Sequence, residues 1–228
     1  MRPDRLSLFN YAHMPHLFKA QRQINASELP EPQEKLRILH HSILQLQQAG
    51  YVYIGMDHFA LPEDELTIAQ RNGTLQRNFQ GYSTHGECDL LAFGVSSISA
   101  LDCLFVQNHK DIQAYQDALQ SNRLAFDKGL RLAADDYIRR QVINELICHF
   151  ELEFADLETR CNIHFGDYFA AELAALQPLV RDGLLYIDAK GIRVSNTGRL
   201  LIRRICMVFD AYLKIQEHET PQRYSRII

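Results

Sequence analysis

Apolar positions along the chain change their spacing as the sequence proceeds. "RLSLFNYA" (Arg5 to Ala12) is short, apolar and aromatic, which predicts a strand. In "EKLRILHHSILQLQQAG", Leu36, Leu39, Ile43 and Leu46 recur at helical spacing, and the Pro-containing stretch 29–33 opens the helix. Gly50 suits the residue just past its end. "YVYIGM" (Tyr51 to Met56) then predicts a buried strand. Strand, helix and strand in this order imply a βαβ unit with parallel strands. Two parallel strands do not make a sheet, so further strands come from later in the chain or from outside it. Met1 sits four residues before the first strand, which predicts that the chain is the tail of a longer fold with an exposed apolar edge along Arg5 to Ala12.

The second half reads as helices. Asn108 with Asp111 predicts a cap before "IQAYQDALQ". Asp135 or Asp136 starts a helix whose Ile138, Val142, Ile143, Leu146 and Phe150 form an apolar stripe. A short helix around Ala155 to Arg160 follows, and another runs from Gly166 to Arg181, stopping at Gly183. "LLYIDAKGIRVS" predicts a hairpin turning over Asp188 to Gly191. "NTGRLLIRRICMVFDAYL" closes as a helix capped by Asn196 or Thr197. Helices followed by a hairpin and a helix suggest a winged-helix-like module. The change of character predicts two domains, 1–107 and 108–228, with the boundary near Gln107.

The composition is that of an ordinary globular protein: 228 residues, 46% hydrophobic and 23% charged. A net charge of −4 and a pI near 6.2 weigh against a nucleic-acid partner. Arg199, Arg203 and Arg204 on the last helix therefore read as a solvated or packing face rather than a DNA contact. No run of about 18 apolar residues predicts a membrane span, and the N-terminus lacks the layout of a secretion signal. Cys88, Cys103, Cys148, Cys161 and Cys206 are odd in number and widely spaced, with no C-x-x-C pair. They read as free thiols in a reducing cytoplasm and encode neither a zinc knuckle nor an iron–sulfur loop. No metal site is expected.

Two stretches carry candidate chemistry. Asp57 and His58 lie at a strand end, where parallel folds place ligands; a hydrogen-bonded pair in a surface turn is an equally good reading. His40, His41, His149 and His164 lack ligand spacing and read as structural or exposed. Phe79 to Ser99 contains Gly81, Gly86 and Gly94. A connector between domains would look like this, but so would a segment closing over a ligand, and long irregular segments tend to be functional.

The strings "RPDRLSLFNYAHMP", "YVYIGMDHFALPEDEL", "RNFQGYSTHGECDLLAFGVSSIS" and "DGLLYIDAKGIRVSNTGRLLIRRICMVFDAYL" resemble the oxygen-independent coproporphyrinogen III oxidase family. The resemblance runs in order over essentially the whole chain and matches the family's C-terminal half. It implies an α/β fold: the C-terminal strands of an incomplete parallel (β/α) barrel, then a mostly helical, winged-helix-like domain. It implies a cytoplasmic, usually monomeric, radical S-adenosylmethionine enzyme of haem biosynthesis. That enzyme converts coproporphyrinogen III to protoporphyrinogen IX by oxidative decarboxylation, using a 4Fe–4S cluster and two S-adenosylmethionine molecules. Carried over residue by residue, the family's cofactor contacts fall on Ala12, Phe79, Gln80 and Ile98. The catalytic residues are not identified by the resemblance. The Cys-x-x-x-Cys-x-x-Cys loop of the cluster is absent, as are the residues that hold the first S-adenosylmethionine. The chain alone is therefore expected to be inactive and to bind no cluster, with an N-terminal half missing. The rival reading is a non-catalytic haem- or porphyrin-binding protein.

Overall fold

The computed structural model describes residues 2–86 and 88–216. Glu87 of the glycine-containing stretch, and residues 217–228 of the expected second domain, lie outside the described residues. The N-terminal part begins with strand β1 (Arg5–Ser7), helix α1 (Pro32–Gln48), and strands β2 (Val52–Gly55) and β3 (His58–Ala60). Helix α1 forms where expected: Pro32 opens it, and Gly50 follows its C-cap at φ +91°.

The sheet differs from the expected one. Its order is β1-β3-β2, and both ladders are antiparallel. Strands β1 and β2 do run the same way, but β3 lies between them. The expected βαβ pairing is therefore corrected to a hairpin inserted into a strand–helix–strand unit. The cause is the Met56–Asp57 turn, where Met56 adopts φ +53° and reverses the chain. Methionine is not a residue that signals such a turn. Gly55 permits the close packing beside it. A Cβ there would sit 2.5 Å from the Tyr82 hydroxyl and 3.1 Å from the Phe150 ring, at φ +143°. Strand β1 is an edge strand, as expected, though it ends at Ser7 rather than Ala12.

Helix α2 (Glu65–Arg71), capped by the Asp64 side chain on the Leu66 amide, leads to the hairpin β4 (Gln76–Asn78) and β5 (Gly81–Ser83). Strands β6 (Ile98–Leu101) and β7 (Leu104–Asn108), helix α3 (Ile112–Gln120) and strand β8 (Phe126–Arg131) follow. The cap of α3 is Asp111, which accepts from the Ala114 amide at 2.9 Å. Asn108, expected to share that role, instead donates its side-chain amide to Gly94 O and Ser97 Oγ, each at 3.0 Å. Strand β7 pairs with both β6 and β8. Gln107, the expected boundary, thus lies inside a central strand, and a cut there would sever a sheet.

The C-terminal part comprises α4 (Ala134–His149), β9 (Glu151–Glu153), α5 (Phe154–Cys161), α6 (Phe165–Tyr168), α7 (Ala170–Arg181), β10 (Leu185–Ile187) and β11 (Gly191–Val194). It closes with α8 (Asn196–Leu200), α9 (Ile202–Met207) and α10 (Ala211–Gln216). Asp136 accepts from the Ala133 amide at 2.9 Å and caps the start of α4. Ile138, Val142 and Leu146 are buried on one face of α4, and Phe150 continues the stripe. Each such side chain contributes about 1.5–3 kcal/mol on burial. The expected hairpin is present, and β9 adds to it as β10-β11-β9. The single helix expected over 166–181 is broken at Phe169 between α6 and α7. The closing helix is likewise three pieces, and its cap is Ser195, whose Oγ accepts from the Gly198 amide at 3.0 Å.

Candidate functional site

The site forms where β4–β5 and the β6-β7-β8 sheet meet α4. Asn144, on the polar side of α4, holds the hairpin with both ends of its amide. Its Oδ1 accepts from the Arg77 amide at 3.1 Å, and its Nδ2 donates to Gln76 Oε1 at 2.6 Å. Tyr82 on β5 donates its hydroxyl to the Ile147 carbonyl at 2.9 Å. These bonds clamp a strand pair too short to be stable alone onto a rigid helix. Phe79 and Gln80 are the two residues at the hairpin's tip, between the paired Asn78 and Gly81.

Phe79 packs edge-on against Phe105 of β7, with ring centroids 5.0 Å apart. Between them and α4 lies a mostly apolar cavity of about 360 Å³. Phe79, Ala100, Phe105, Leu130, Ile143, Ile147 and Phe209 give it its apolar lining, and Arg77, Arg139 and Arg140, with Asp136 and Asp210, bring charge to it. A second, polar cavity of about 520 Å³ shares Arg77, Asn78, Ala100, Arg140 and Asn144 with the first. Apolar walls with a few convergent charges are the usual make-up of a small-molecule site.

The four residues expected to contact a cofactor are placed differently. Phe79 lines the apolar cavity. Ile98 begins β6 opposite Gln107, two residues from Ala100, so it shares the sheet face that carries Ala100 and Phe105. Gln80 is exposed at the tip, its amide donating to Asn78 Oδ1 at 2.8 Å. Ala12 lies in the irregular segment after β1, where its carbonyl accepts from Gln21 Nε2 at 3.1 Å. Neither Gln80 nor Ala12 is among the residues lining the apolar cavity. The arginines and Asn144 were missed by sequence reasoning; Arg140 and Asn144 at i, i+4 on one helix are the only local signal.

Asp57 and His58 sit in the β2–β3 turn and at the start of β3. Both are half-buried, and no hydrogen bond joins their side chains among the described residues. Burial raises the Asp57 carboxyl above its ordinary range, against the opposing pull of Arg203, His58 and Arg77. Burial lowers the His58 proton affinity, and Arg77 lowers it further. The His58 ring meets Phe9 and Tyr82 edge-on, at 6.2 and 5.3 Å. This is a packed histidine rather than a hydrogen-bonded surface pair.

The residues do not fit an iron–sulfur cluster. Among those described, no group of three or more His, Cys, Asp or Glu could hold a metal ion. Cys88 and Cys103 are exposed, while Cys148 and Cys206 are buried. Burial drives the Cys148 thiol up and pushes that of Cys206 up to about 12, so neither supplies a thiolate near neutrality.

Fold and site define a mixed α/β protein with an arginine-bearing apolar cavity between a clamped hairpin and a helical unit. Residues 132–201 match the family model described as the HemN C-terminal domain. Over all 228 residues the chain is 54% identical to the oxygen-independent coproporphyrinogen III oxidase of Pseudomonas aeruginosa, covering 49% of that protein. It is 45% identical over 219 residues to the protein of that name from Thermostichus vulcanus, covering 96% of this chain and 67% of the relative. A solved structure described as "Coproporphyrinogen III oxidase (HemN) from Escherichia coli is a Radical SAM enzyme" superposes with a TM-score of 0.89 at 52% identity. That likeness covers 92% of this chain and 49% of the other. The chain belongs to the oxygen-independent coproporphyrinogen III oxidase family. It spans about half the length of most of the curated relatives it matches.

Proposed function

We propose that this chain is the C-terminal portion of an oxygen-independent coproporphyrinogen III oxidase, an oxidoreductase of haem biosynthesis. The observation that carries the reading is collinear likeness over the whole chain at 54% identity to a relative of that name. Its β1–β3 region supplies the last strands of a parallel barrel, with β3 inserted, and the β9–β11 unit with its helices is a winged-helix-like domain. The two parts divide near residue 132, where the family match begins and no strand pairing is cut. The enzyme works in the cytoplasm; among the described residues no helix is long and apolar enough to cross a membrane.

The radical chemistry named for the Escherichia coli neighbour implies S-adenosylmethionine and a 4Fe–4S cluster in the full-length enzyme. This chain's residues do not fit the cluster. The chain's part is to bind and shield. Phe79 and Ile98 supply apolar surface against S-adenosylmethionine, Gln80 hydrogen-bonds its amino-acid end, and Ala12 leaves room for it. The cavity beside Phe79 receives coproporphyrinogen III.

The chain alone should neither take up a cluster on anaerobic reconstitution nor convert coproporphyrinogen III; turnover by the chain alone would sink the reading. In a full-length enzyme carrying this half, Gln80→Ala and Ala12→Leu should each impair decarboxylation while leaving the cluster's absorption intact. Wild-type turnover in both would refute the cofactor contacts.

A further inference from the structure

We propose that Arg77 and Arg140 form a carboxylate-binding pair at the junction of the two cavities, built to grip the acidic arms of an apolar-bodied ligand. This deepens the functional assignment above and rests on it for the ligand's identity, though not for the carboxylate chemistry. Both arginines line both cavities. Arg77 Nη1 is buried without a hydrogen-bond partner. No carboxylate among the described residues forms an ion pair with either guanidinium, whereas neighbouring Arg139 is engaged by Asp135 and Glu172 at 2.8 and 3.0 Å. A buried donor of a charged group left unmade is costly, so a small shift that lets an acceptor reach it is favoured.

Asp136 and Asp210 line the apolar cavity and Asp89 and Asp102 the polar one, where Asp89 Oδ1 accepts from the Asp102 amide at 2.9 Å; none of the four forms an ion pair with Arg77 or Arg140. Asp136 Oδ2 accepts from the Ala133 amide and from the Tyr212 hydroxyl at 3.1 Å. Asp210 Oδ1 accepts from the amides of Tyr212 and Leu213 at 2.9 and 3.3 Å. The two guanidinium groups are also oriented in advance. Arg77 stacks over the Tyr82 ring at 5.0 Å and Arg140 over Phe105 at 5.3 Å. Stacking occupies the faces and leaves the N–H edges for a planar, bidentate partner. Asn144 ties the Arg77 backbone to α4 one turn beyond Arg140, which fixes the spacing of the pair. The apolar walls beside them favour a ligand whose carboxylates hang from a hydrophobic body, as the propionates of a coproporphyrin do.

The test is equilibrium binding of the 228-residue chain to coproporphyrin III, to its tetramethyl ester, and to pyrenebutyrate as an unrelated apolar carboxylate. Arg77→Gln and Arg140→Gln should each weaken binding of the tetra-acid about 10-fold to 100-fold. Arg77→Lys, which keeps charge but loses the fork, should fall between wild type and Arg77→Gln. Exposed Arg204→Gln should bind like wild type. Thermal melts check folding, and if Arg77→Gln does not melt cooperatively, Arg77→Lys and Arg140→Gln carry the test. Arginine-dependent binding of pyrenebutyrate without binding of coproporphyrin III would support the pair and sink the porphyrinogen reading. Tetra-acid binding that survives both glutamine substitutions would overturn the pair and leave that reading standing. Equal affinity for acid and ester, or no arginine-dependent binding of any carboxylate probe, would also overturn it.

Discussion

Residues 134–209 and the segments before them are built on different terms. The C-terminal unit encloses one continuous core in which Phe165, Phe169, Phe209, Leu146, Leu157 and Leu176 are fully buried. The N-terminal part divides into two small clusters, and each leans on the other unit: one includes Cys148 of α4, and Leu200 of α8 packs against the other. Its β8 strand is exposed along its whole length, and Phe93 is 87% exposed. The N-terminal strands are held to α4 by polar clamps. Besides those of Asn144 and Tyr82, Gln70 donates from one nitrogen to the Ile54 and Cys148 carbonyls at 2.6 and 2.8 Å. One unit supplies stability, and the other presents loops and a hairpin on it. The cavities lie along that seam, which is where a rigid helix can position groups carried by mobile-length segments.

Removing one aromatic ring from each side should have the most unequal effect. Phe169 is fully buried and packs against Phe165, Tyr168 and Phe209. Phe169→Ala should cost about 3–5 kcal/mol in urea unfolding. Phe93→Ala should stay within about 0.5 kcal/mol of wild type. Comparable losses at the two positions would mean that the stability is shared rather than concentrated.

The clamp is the next target. Asn144→Ala removes two hydrogen bonds between α4 and β4, each part-buried. The expected loss is about 1–2 kcal/mol. Hydrogen exchange sharpens the test: the β4–β5 amides should lose protection well before the core amides of α4. Uniform loss of protection would show that the hairpin is not a separately held element.

The C-terminal unit is the more legible part of the sequence, for the same reason that it encloses a core of its own. Ile138, Val142 and Leu146 face a core their own unit supplies, so their period shows in the sequence. The hairpin turning over Asp188 to Gly191 was readable because Asp188 accepts from the Lys190 amide, a local bond. Asp111 caps its helix as the sequence implies, without Asn108, while the closing helix is capped by Ser195, just before the expected Asn196 or Thr197, because several capping residue types crowd there. The parallel pairing failed because a methionine in the left-handed region made the turn that inserted β3. Of the site, Phe79 was visible through its family resemblance. Arg77 and Arg140 were not, since their meaning depends on Asn144 bringing a strand and a helix together, and no spacing along the chain records that.

The smallest effect is a pH dependence at the seam itself. His58 is packed between Phe9 and Tyr82, and its Nδ1 is buried without a partner. The charges it faces are Asp57 beside it in the chain and Arg77 on β4. Burial and Arg77 together outweigh Asp57, so its folded proton affinity lies below the ordinary 6.5. The unfolded chain then binds more protons than the folded one in the window just below pH 6.5, and stability rises with pH through that window. His149, whose proton affinity burial also lowers, acts in the same sense. Asp57 acts oppositely: its carboxyl is raised above 3.8, so stability falls as pH rises just above that value. Melting temperature should therefore climb with pH in the window just below 6.5. His58→Gln, neutral throughout, should flatten that climb to the part His149 supplies. The double variant with His149→Gln should flatten it further. An unchanged slope in His58→Gln would place His58 in water when folded, and would loosen the seam that the hairpin and the β2–β3 turn are taken to close.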